Sequence, residues 1–201
     1  MGVRVVSVPA DRGGSAARAA AIGGIIGPAV FVAAWAAVGA SRPGYSPVHD
    51  AISRLAAVGA PRRGWMTAGF ATFGVAVPAY SVALRRSVSG VAALTAAATG
   101  VATLLVGLLP LDRSAAVDRW HAVAAVAGYV TLAATPLLAA APLGARAGNR
   151  WRRGSQVAGV TAAVLLGASV AGIATGLTQR TGLLAGDLWV AASAGWMLRH
   201  S

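Results

Sequence analysis

The chain of 201 residues contains no cysteine, no lysine and no glutamate. Without cysteine there is no disulfide framework, no thiolate nucleophile and no Cys-ligated zinc. Without lysine, all 17 basic residues are Arg, and without glutamate the whole acidic inventory is five Asp. Charge of either sign is scarce at 11% of residues, where a soluble domain carries roughly a quarter. Aromatics are few as well, at 6%. What fills the sequence instead is Ala, Val, Leu and Gly, with 57% of residues hydrophobic.

Those residues are gathered into six apolar runs, near 19–40, 64–83, 91–111, 121–141, 155–177 and 182–198. Each is about as long as the ~17–25 residues a helix needs to cross a ~30 Å hydrocarbon core. The expected fold is all-α: a six-transmembrane-helix bundle spanning residues 19–199, preceded by a polar tail over residues 1–18. A cleavable signal peptide has a shorter apolar core of ~7–15 residues, so the first run reads as an uncleaved span.

The net charge of +12 would suggest nucleic acid in a soluble protein. Here the Arg residues sit singly or in short clusters at the ends of the runs, so they read as helix anchors that attract anionic lipid headgroups. No nucleic-acid partner is expected; the expected partners are membrane lipids. Alternate gaps carry ten Arg against seven, which by the positive-inside rule places both termini in the cytoplasm of a cell membrane protein. Of the five Asp, only Asp11 falls on that side. Trp65, Trp120, Trp151, Trp189 and Trp196 lie toward span ends, where indole rings favour the headgroup level.

Small residues recur at helical spacing in Gly23/Gly27, Gly172/Gly176 and Gly182/Gly186. They suit close packing within the bundle, and they would also serve a homo-oligomer. Pro28, Pro78 and Pro136 fall inside spans, where proline is ordinary.

The longest polar connection, 41–63, contains Ser46–Gly59, which reads as a short amphipathic interfacial helix. Ser46 is placed as N-cap and Pro47 as N1, with Gly59 closing the far end. Val48, Ile52, Leu55 and Ala56 would share one face, and His49, Asp50, Ser53 and Arg54 the other. A self-contained triad from Ser53, His49 and Asp50 fails, because adjacent residues point ~100° apart on a helix and Asp50 cannot orient His49. Further on, Asp112 closes span three, Ser114 caps a helix carrying Asp118 and His121, and Arg180 suggests a buried ion pair with Asp187 or with Asp112.

Catalytic candidates are Asp50, Ser53, Asp112, His121 and Arg180. A divalent metal would draw on His49, Asp112, Asp118 and His121, although no cofactor is expected. This Ser/His/Asp inventory is similar to that of zinc-dependent membrane hydrolases related to alkaline ceramidases. Those use three His, and His200 stands at the wrong end of the last span to be the third.

The run Gly44-Tyr45-Ser46-Pro47-Val48-His49-Asp50-Ala51-Ile52-Ser53-Arg54-Leu55-Ala56, with Pro110-Leu111-Asp112, His121 and Gly176-Leu177-Thr178-Gln179-Arg180, resembles a bacterial multi-pass family catalogued as domain of unknown function 998. The resemblance covers roughly residues 20–199. It implies a six-span bundle with Asp50, Ser53, Asp112, His121 and Arg180 as recurring polar positions, and it supplies no activity; His49 departs from the basic residue expected beside Asp50. Two functional readings follow. The first is a non-enzymatic bundle that binds lipid, solute or a partner, with a polar cluster on the extracytoplasmic face. The second is a membrane-embedded, metal-dependent hydrolase acting on lipid at the outer interface.

Overall fold

The computed structural model describes residues 12–200, and the polar tail expected over 1–18 lies outside them as far as residue 11. The described residues form six α-helices and no strand: α1 Arg12–Ala40, α2 Arg63–Ser87, α3 Gly90–Leu108, α4 Ala115–Ala147, α5 Asn149–Val170 and α6 Thr175–His200. Four of them, α1 to α4, are long and apolar enough to cross a membrane. Successive helices pack on one another and α6 returns against α1, closing a ring. Large apolar side chains such as Val75, Leu94, Val130, Val157 and Leu188 face outward, the arrangement expected where lipid replaces water as the solvent.

The connections divide between two ends. At one end, the Val58 N–H donates to the Leu111 carbonyl (2.9 Å), and the Leu177 N–H to the Val48 carbonyl (3.0 Å). The α1–α2, α3–α4 and α5–α6 links therefore meet there, at what we call the loop end. At the opposite end Arg146 donates to the Ser87 carbonyl, and Trp151 meets Trp196 edge-on at 6.2 Å.

Helix boundaries follow local chemistry. Ser89 and Ser114 cap α3 and α4, their hydroxyls accepting the Ala92 and Val117 N–H groups. The fifth run ends sooner than its apolarity suggests: α5 stops at Val170, and α6 starts at Thr175 after a turn with Gly172 and Ala174 at positive φ. Gln179 and Arg180, which fall in the gap between the fifth and sixth apolar runs, thus stand on the first turns of α6.

The predicted helix over Ser46–Gly59 does not form. Ser46–Asp50 makes a single turn, Ala51 is extended, and only Ile52–Ala56 is helical, as a 3-10 helix. The cause is competition for backbone acceptors, since the carbonyls of Pro47, Val48 and Asp50 are taken by α6. Gly59 (φ 79°) still ends the segment. Val48, expected on the apolar face, is exposed, whereas Ile52, Leu55 and Ala56 are buried as expected. Trp189 also differs: it is buried and donates to Ser155 Oγ at 2.8 Å.

Apart from Gly172, where nothing lies within 4 Å of an added Cβ, the paired glycines pack closely inside the chain. A side chain on Gly27 would press on Ala76, one on Gly182 on Leu166, and one on Gly186 on Leu132. Between α3 and α4, hydroxyls do the joining: Thr99 meets Thr131 and Thr95 meets Thr135, each at 2.9 Å. Such interhelical bonds add ~0.6–2 kcal/mol apiece in a membrane.

Candidate functional site

The loop end is assembled around two neighbouring residues of α6. The Arg180 Nη1 donates to the carbonyls of Gly176 (2.8 Å), Pro47 (2.9 Å) and Asp50 (3.1 Å). Its Nη2 donates to the Tyr45 hydroxyl, and its guanidinium lies over the rings of Trp35 and Tyr45 at 5.4 and 5.3 Å. A delocalised planar cation suits this combination of fork and stack better than an ammonium would. The Tyr45 hydroxyl accepts from Arg180 and faces the Ala51 carbonyl at 3.2 Å as donor. Burial pushes this phenol up, and the Arg180 charge opposes the shift without cancelling it. The proton needed for donation is therefore retained.

Gln179 fastens the next stretch. Its Oε1 accepts the Ile52 N–H at 2.7 Å, and its Nε2 donates to the Tyr129 hydroxyl. A backbone N–H can only donate, so the orientation of this amide is determined.

Beneath the 3-10 helix lies a cavity of about 50 Å³. Phe31, Phe70 and Phe73 make its apolar wall; Ser53, Thr99, Thr103, His121, Tyr129 and Gln179 supply its polar groups. Among the described residues, no Asp, Arg or other permanently charged side chain lines it. His121 is buried, and its Nδ1–H donates to the Leu109 carbonyl at 2.6 Å. In the neutral ring Nε2 is then the nitrogen with the free lone pair.

The residues singled out from sequence are thereby separated. Ser53 and His121 line the one cavity. Asp50 is spent locally, its carboxylate accepting the Ser46 N–H at 2.7 Å, while His49 is exposed. Asp112 pairs with Arg54 at 3.1 Å, both side chains about half exposed, and Asp118 accepts the Asp112 N–H at 3.0 Å. The metal set His49, Asp112, Asp118 and His121 does not come together: among the described residues no group of three His, Asp or Glu side chains converges. The buried pair of Arg180 with Asp187 is not made either. Arg180 is occupied by carbonyls, and both Asp187 oxygens are buried without a hydrogen-bond partner. Gln179, Tyr129, Thr99 and Thr103 were not foreseen, although the i, i+4 spacing of Thr95, Thr99 and Thr103 is visible in the sequence.

The family described as Protein of unknown function (DUF998) matches residues 25–196. The chain belongs to that family. The DUF998 match runs from within α1 to within α6 and so contains the Arg180 clamp, the 3-10 helix and the whole cavity lining. No match to this chain was found among curated proteins or among solved structures.

Proposed function

We propose that this DUF998 protein is a six-span, non-enzymatic binding protein of the cell membrane that takes a small uncharged polar solute from the extracytoplasmic side. The observation that carries this reading is the cavity, enclosed by α1 to α4, α6 and the 3-10 helix, with six polar groups and no charged one. Its size favours small ligands: about 50 Å³ holds roughly three to five waters at ~10–15 Å³ each, and no acyl chain. An uncharged lining does not repay the desolvation of an ion.

The six-span arrangement is supported by the lengths of α5 and α6, 22 and 26 residues, against the ~20 needed. The orientation is supported by the Arg residues of the opposite end, which by the positive-inside rule favour cytoplasmic termini and a loop end, with its polar cluster, outside. Anionic headgroups are the natural partners of Arg85, Arg86, Arg150, Arg152 and Arg153.

Thermal unfolding with a panel of small neutral amides, polyols and alcohols tests the reading. A solute at ~100 times its Kd stabilises the native state by ~2.7 kcal/mol. At least one neutral solute is expected to raise the midpoint of the wild type but not of Gly128→Leu, which extends a side chain from the cavity wall where a Cβ meets only Ala102, at 3.4 Å. No stabilisation by any of them, or equal shifts in both proteins, would sink the proposal.

Ser53 and His121 share that cavity, which favours a hydrolase as the second reading. No carboxylate lines the cavity to orient the imidazole, as a triad requires. A fluorophosphonate probe is expected to leave Ser53 unmodified; stoichiometric labelling abolished in His121→Ala would reverse the preference.

A further inference from the structure

Arg180, Asp187 and Ala194 stand seven residues apart on α6 and are all buried; two turns of helix return each to nearly the same face. The outer two face α1. Arg180 lies over Trp35, and Ala194 Cβ is what a side chain on Gly24 would meet at 2.9 Å. Asp187 therefore lies on the α1 side of α6 between those levels, along the stretch of α1 that contains Pro28. It is 2% exposed, and neither carboxyl oxygen has a hydrogen-bond partner among the described residues.

Among the described residues no countercharge is at hand. On α6 itself Arg180 is committed to three carbonyls and Tyr45, and Arg199 and His200 are in the last turn. From α2 the titratable groups are Tyr80, bonded to Ser193 at 2.7 Å, with Arg63, Arg85 and Arg86 at its ends. From α4 they are Tyr129, bonded to Gln179, and His121, bonded to Leu109, with Asp118, Arg119 and Arg146 near its ends. Arg54 of the 3-10 helix pairs with Asp112. Past Arg18 in α1 and past Arg153 in α5 there is no titratable side chain. A charged carboxylate in such surroundings carries an uncompensated desolvation cost of several kcal/mol, whereas the neutral acid does not. A metal ion would require further oxygen or nitrogen ligands, and none is bonded to this carboxyl.

We propose that Asp187 is a proton-binding site inside the bundle, holding an exchangeable proton that it releases to water reaching the carboxyl. On release the carboxyl O–H bond breaks, the proton passes to an entering water to give hydronium, and the carboxylate is left hydrated. This site is independent of the solute cavity, which Asp187 does not line.

Infrared spectroscopy of the full chain in lipid vesicles at neutral pH reads the proposal directly. The expected result is a protonated-carboxyl stretch that moves down in D2O and is lost in Asp187→Asn. The absence of Glu keeps the assignment secure even if the Asn variant does not fold. Carbon-13 labelling of aspartate carboxyls should displace the wild-type band, and Asp187→Glu should show a band that the aspartate label leaves unmoved. A wild type without the band, a band that ignores D2O, or one that persists unaltered in Asp187→Asn or follows the aspartate label in Asp187→Glu would overturn the site.

Discussion

Replacing Arg180 with alanine is expected to lower the unfolding free energy by ~3–5 kcal/mol, because acceptors stranded in a buried site cost ~1–3 kcal/mol each. The side chain is 7% exposed and serves the carbonyls of Pro47, Asp50 and Gly176 together with the Tyr45 hydroxyl. Water entering the loosened loop end recovers part of the loss, so the total falls below three full penalties. Arg180→Lys should recover only a fraction, since an ammonium offers one nitrogen where the fork offers several. Thermal unfolding gives the magnitude, and faster proteolysis within residues 41–62 locates it. Unchanged proteolysis alongside an unchanged midpoint would mean that the clamp contributes nothing.

The second large effect belongs to Gly176. A side chain there would meet the Asp50 carbonyl at 2.5 Å, the Pro47 carbonyl at 2.6 Å and Arg180 Nη1 at 2.8 Å. Two of these atoms are backbone oxygens that the clamp itself holds, so neither can withdraw without breaking a bond to Arg180. Gly176→Ala is expected to cost ~1–3 kcal/mol, the usual range for overpacking. Because it and Arg180→Ala act on the same carbonyls, their costs should fall short of additivity in a double-mutant cycle. Gly167→Ala is the control: nothing lies within 4 Å of its added Cβ, and inside α5 the change should gain ~0.5–1 kcal/mol. Equal destabilisation by both substitutions would remove the steric argument.

The contrast between these glycines reflects what was legible in the sequence. Apolar runs revealed the helices, because a lipid solvent forces every backbone polar group to be satisfied within a helix, and that requirement is written as length. The Ser114 cap was equally local and formed as read. The helix over Ser46–Gly59 was a sound local expectation that lost to distant competitors, since its carbonyls answer to an Arg and an N–H on α6. Ser53 and His121 were named as candidates and do meet at one cavity. Asp112 and Arg180, named with them, proved to be a half-exposed ion pair and a backbone clamp. Tyr129 escaped notice because a phenol amid apolar residues looks like a spacer until the fold brings it into contact, and Gln179, quoted in the Gly176–Arg180 run, showed its role only once Ile52 and Tyr129 met it.

The clamp also carries a consequence for biogenesis. The residues that fasten Pro47, Asp50 and Ile52 lie 133, 130 and 127 positions later in the chain. Domains form progressively as the N-terminal part leaves the ribosome first, so the α1–α2 connection emerges long before its fasteners exist. It must wait, open, through the synthesis of four further helices, and it closes only when α6 arrives. Completion of the last helix is therefore the event that seals the first loop, and a chain interrupted after α5 would present that loop unfastened to any surveillance protease on its side of the membrane.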